Sequence, residues 1–74
     1  MRKNELLKEL EQRFLKEHYA MDAANDNNDK ENAIVHGHCS CAIAQIIGLI
    51  KFGDDQIDQA LEYLYKKYNL YRYE

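Results

Sequence analysis

The sequence predicts an all-α fold, an antiparallel helical hairpin followed by a shorter third helix in a three-helix bundle, and three observations carry that prediction. Proline is absent and only three glycines occur in 74 residues, so little interrupts long helices. Apolar side chains recur at spacings of three and four in three separate stretches, the helical period. Turn-forming residues concentrate at Asn25 to Asp29 and again at Gly53 to Asp55. Together they predict a single domain over residues 1–74, with helices over about 4–25, 29–52 and 55–68.

The first helix is drawn by Leu7, Leu10, Phe14, His18 and Met21, one stripe at three/four spacing. Asn4 is its expected N-cap, with Glu5 in the first turn. Lys8, Glu9, Glu11, Arg13, Lys16 and Asp22 are expected on the solvent side. Leu6, Leu15 and Tyr19 fall outside the stripe, placed for a third helix or another protomer. The run Asn25-Asp26-Asn27-Asn28-Asp29 then turns the chain, and Asn28 or Asp29 caps the helix that follows. That run has a calcium-loop flavour, but it lacks the mid-loop glycine and the closing bidentate glutamate and reads as a turn.

The central helix carries the most information, because apolar or small residues surround nearly its whole circumference between 33 and 52. Such a helix is expected to be enclosed on several sides. Ile34, Gly37, Cys41, Gly48 and Phe52 gather on one side, while Cys39, Ile43, Ile46, Ile47 and Ile50 gather opposite. The expectation is two burial faces, one for each neighbouring helix. A hairpin centred between Asn27 and Asn28 sets Phe14 near Cys41 and Leu7 near Gly48, large against small. Gly53 is placed to end the helix in the left-handed conformation, and Asp54 and Asp55 are candidate caps for the third helix. There, Ile57, Ala60, Leu61, Leu64 and Tyr68 share one face, with fraying expected from Asn69 to Glu74.

A chain of this length has a core close to the minimum that sustains a fold, so homo-oligomerisation is an expected source of further burial. The net charge of −3 argues against a nucleic-acid coat, although Lys66, Lys67 and Arg72 against Glu74 leave the C-terminal stretch basic. The N-terminal stretch has no apolar signal region, and the longest apolar run, Cys39 to Ile50, is shorter than a membrane span needs. The expected location is cytoplasmic, with no membrane partner. Cys39 and Cys41 point about 200° apart on a helix and cannot pair there, so they are read as reduced thiols.

Two constellations bear on chemistry. His36, His38, Cys39 and Cys41 are metal-ligand types, and the hairpin pairing brings His18 opposite Gly37 and His38. A zinc site of His18, His38 and Cys41, closed by water or Glu17, is therefore conceivable, while His36 and Cys39 look toward the third helix or a partner. The alternative, which the incomplete ligand set favours, makes both cysteines small core hydrophobes, gives the histidines hydrogen-bond partners near the crossing and requires no cofactor. A Cys–His nucleophile would also need an oxyanion-stabilising element and a cleft, which the pattern does not supply; no enzymatic activity is expected. The second constellation interleaves tyrosines with basic residues from Tyr63 to Tyr73. Tyr63, Tyr65, Tyr71 and Arg72 exceed what one small core needs and are the candidate partner-binding residues.

The charged amphipathic helix, the Asn/Asp turn, and Ala33, Gly37 and Cys41 at four-residue spacing leading into Ile46-Ile47 and Leu49-Ile50 resemble the small helical hairpins encoded by phages and mobile elements, over about residues 4–52. The resemblance implies an accessory protein that works by binding and inhibits or modulates a host or defence factor. The expected function is a non-catalytic protein-binding module that self-associates. The alternative is an oligomer that binds or sequesters a small ligand, a nucleotide or a metal, as His18, His36, His38 and the basic tail suggest.

Overall fold

In the computed structural model, which describes residues 2–53 and 56–70, three helices follow one another: α1 (Lys3–Asp26), α2 (Lys30–Phe52) and α3 (Ile57–Tyr68). No strand occurs among the described residues, and the all-α three-helix bundle stands. α1 and α2 form the hairpin, and α3 packs chiefly on α2.

Each helix end has a local cause. α1 starts one residue before its expected boundary, with Arg2 rather than Asn4 at the N-cap. It closes at the Asn/Asp run, where the Asp29 N–H donates to the Ala24 carbonyl at 2.8 Å and Asn28 takes φ 58°. Asn is among the few residues that tolerate that left-handed conformation. Asp29 then caps α2, accepting from the Asn32 N–H at 3.3 Å and from the Asn32 side-chain amide at 2.6 Å. Gly53, at φ 68°, ends α2 with its N–H on the Leu49 carbonyl at 3.1 Å. Asp54 and Asp55, the candidate caps of α3, lie outside the described residues, and Gln56 occupies the N-cap position. At the far end Asn69 turns left-handed and the Leu70 N–H closes on the Tyr65 carbonyl at 2.9 Å, an ordered stop at the first two residues of the expected fray, whose remainder, 71–74, lies outside the described residues.

The core gathers Leu7 and Phe14 of α1, Ala44 and Ile47 of α2, and Ala60 and Leu64 of α3. Phe14, Ile47 and Leu64 are fully buried, each contributing about 1.5–3 kcal/mol relative to exposure. The expected hairpin register holds near the crossing. His36 meets Glu17, and a Cβ on Gly37 would stand 3.3 Å from the Met21 sulfur, on either side of the expected pairing.

The central helix departs from expectation. Its buried positions, Ala33, Ser40, Ala44, Ile47 and Gly48, span a single arc of about 100° on the helical wheel. In a triangular bundle a helix meets its two neighbours on adjacent sides, so the burial faces merge into one and the opposite side stays bare. Ile34, Ile46 and Phe52, all expected to be covered, are exposed. Both cysteines, expected in the core, are exposed as well. His36, expected to look toward the third helix or a partner, pairs with α1 instead.

Candidate functional site

Three features qualify as sites. The first is a buried carboxylate. Glu11 was expected on the solvent side of α1, yet it is only 3% exposed. It lies four residues after Leu7 and three before Phe14, within the buried stripe, so the helical period put it inside. Three side chains of α3 satisfy it. The Tyr63 hydroxyl donates to one oxygen at 2.9 Å, the Lys67 ammonium donates to the other at 2.8 Å, and the Tyr68 hydroxyl donates to that same oxygen. Burial pushes the Glu11 carboxyl up, but the donors from Lys67, Tyr68 and Tyr63 outweigh it and hold the group below the usual carboxylate range. The hydrogen bond to Glu11 raises Lys67, and burial together with its bond to Glu11 pushes Tyr68 up to about 12. The Tyr63 ring sits beneath Lys51 at 4.6 Å and Lys67 at 5.5 Å, with Phe52 edge-on at 5.9 Å. All four side chains of this cluster are partnered within the molecule, and its chemistry is that of a clamp between α1 and α3.

The second feature is a cleft of about 540 Å³ between the hairpin and α3, its lining including Met21, Lys30, Ile34, His38, Cys41 and Tyr65. His38 and Cys41 therefore share a wall, but His18 is held elsewhere. It is 1% exposed, stacked on Phe14 at 5.9 Å and met edge-on by Tyr65 at 5.5 Å, with Nε2 3.5 Å from Asp22. Glu17, the carboxylate expected to complete the zinc set, is engaged by His36 Nδ1 at 2.6 Å. Among the described residues no three His, Cys, Asp or Glu side chains gather closely enough to hold a metal ion, so His18, His38 and Cys41 are not assembled into a site.

The third feature is the bare side of α2. Between Asn32 and Ile50 the helix has no Asp, Glu, Lys or Arg. Ile34 and Val35 are 60% and 54% exposed, Ile46 and Leu49 45% and 50%. At about 1.5 Å per residue the helix is about 35 Å long, close to the 38 Å long axis of the molecule. By length and composition α2 is also long and apolar enough to cross a membrane, although its longest apolar run, Cys39 to Ile50, is shorter than a span.

Of the candidate partner-binding residues, Tyr63 is engaged in the Glu11 clamp and Tyr65 is half-buried between His18 and the cleft. Tyr71 and Arg72 lie outside the described residues. The bare face of α2 was missed because its apolar residues look the same in sequence as core residues. Compared with protein-family models, curated proteins and solved structures, the chain matches none.

Proposed function

We propose that this chain is a non-catalytic helical module that works through protein–protein association, self-association included. One observation supports this reading above the others: the exposed, uncharged row of Val35, Cys39, Ala42, Ile46 and Leu49 along the bare side of α2. Monomers rarely expose contiguous apolar patches of that kind unless something covers them. Glu11, whose carboxyl is held below the usual carboxylate range, is spent on holding α1 to α3. On this account an accessory role, inhibiting or modulating a host or defence protein, rests on the resemblance to mobile-element hairpins. Tyr65, beside Leu61 on the cleft side of α3, is the candidate partner-binding aromatic that lines the cleft.

Light scattering on the eluting protein, from micromolar to hundreds of micromolar, tests the self-association. A mass that rises above the monomer's 8.8 kDa supports it, and a constant monomer mass removes it. The second reading, binding of a small ligand, is favoured by the cleft where Lys30, His38 and Cys41 meet. Native mass spectrometry of untagged protein separates the two, since a bound small molecule or zinc would favour the second.

A further inference from the structure

Along the bare side of α2, Val35, Cys39, Ala42, Ile46 and Leu49 follow one another at steps of four, three, four and three. This is the heptad period of a helix seam that faces another helix. All five lie off the buried arc, none is charged, and the middle of the row is small while its C-terminal end is large. We infer that this row is the seam of an antiparallel two-fold dimer in which α2 pairs with α2 of a second copy about a centre near Ala44.

The inference rests on the self-association proposed above and names its surface and register. Reversing the row and sliding it until Ala42 meets Ile46 of the second copy also sets Cys39 against Leu49 and Val35 against Gly53. Every layer then places a small residue opposite a larger one, the condition for close interdigitation. The parallel, in-register alternative stacks Cys39 on Cys39 and Ala42 on Ala42, leaving a gap at the middle, and crowds Ile46 on Ile46. An antiparallel pair is also isologous, using one patch twice and closing on itself.

Size supports the same occupant. The exposed residues of this row leave on the order of 350 Å² of apolar surface, within the size range of the largest, often functional, patches on monomers. Two copies bring the total from this row to on the order of 700 Å², the scale of a weak, concentration-dependent association. A lipid surface fits less well. Interfacial helices flank their apolar face with Lys and Arg. Here only Lys30 and Lys51, at the two ends of α2, carry positive charge, on a chain of net charge −3.

Cys39 provides a reporter already in place. In the proposed register two Cys39 residues lie about ten residues apart along the pair, about 15 Å, too far for a disulfide. The Cys41→Ser protein should therefore stay uncross-linked under mild oxidation. Adding Leu49→Cys should produce a disulfide-linked dimer, and further Cys39→Ser should abolish it. Leu49 is exposed, so unchanged far-ultraviolet circular dichroism is expected throughout. Cross-linking of Cys41→Ser through Cys39 itself would overturn the antiparallel register. Absence of a cross-link in Leu49→Cys/Cys41→Ser, with a wild type that scatters as a dimer, would overturn the seam and leave self-association standing. A wild type that is monomeric at all concentrations would overturn both. Flotation of monomer with phosphatidylcholine/phosphatidylglycerol vesicles would assign the face to lipid.

Discussion

Glu11 carries the strongest single-residue consequence. Replacing it by alanine strips the acceptor from two hydroxyls and an ammonium at once. Removing one member of a buried, charge-assisted cluster costs about 2–4 kcal/mol, discounted here because Lys67 is half-exposed. Chemical denaturation of Glu11→Ala should show that loss, and Glu11→Gln, which keeps the shape and one acceptor, should lose about half as much. The sign of the pH dependence follows from the direction of each shift. Because folding holds the Glu11 carboxyl low, its contribution is present above the ordinary carboxylate value and disappears as pH falls through the folded value. The stability gap between wild type and Glu11→Gln should therefore narrow as pH falls below the ordinary carboxylate range. Tyr68 behaves in the opposite sense, its contribution being complete below the ordinary phenol value and lost as pH rises toward about 12. Phenolate absorbance during alkaline titration reports that step. The position of Glu11 was legible in the sequence, inside the Leu7–Phe14 stripe, but its charge argued for the surface, and its partners sit more than fifty residues away on α3.

At the scale of elements, helix boundaries were legible to within about two residues, because capping and turn chemistry is local. Asp29 and Gly53 took the roles their types predict. Rotation of α2 was not legible. Val35, Ala42, Ile46 and Leu49 are as apolar as the Ala33, Ala44 and Ile47 that are buried, so periodicity alone could not choose which arc turns inward. What decides it is the position of α3 beside the hairpin, a tertiary fact. Gly37 gives a test of the hairpin's closeness. A methyl there would meet only the far end of the flexible Met21 side chain at 3.3 Å, while glycine within a helix costs about 1 kcal/mol relative to alanine. Gly37→Ala is therefore expected to leave the fold unchanged and raise stability by about 0.5 kcal/mol in thermal or denaturant melts; a marked loss would mean that α1 and α2 pack more tightly there than the structure shows.

For the whole molecule, a three-helix bundle of this size closes a small core and leaves one of its longest helices apolar on the outside. The two properties fit together if burial missing from the monomer is completed between copies. Stability should then depend on protein concentration, which a monomeric fold would not show. Fold class followed from composition and period, whereas the zinc reading of His18, His38 and Cys41 failed to assemble because Phe14 and Tyr65 enclose His18 away from the cleft. Light scattering of the wild type beside Ile46→Glu, at matched concentrations, tests the central claim most directly. The account predicts a wild type of twice the 8.8 kDa chain mass and a variant of single mass with the same helicity. Equal masses for the two proteins, whether both single or both double, would contradict it.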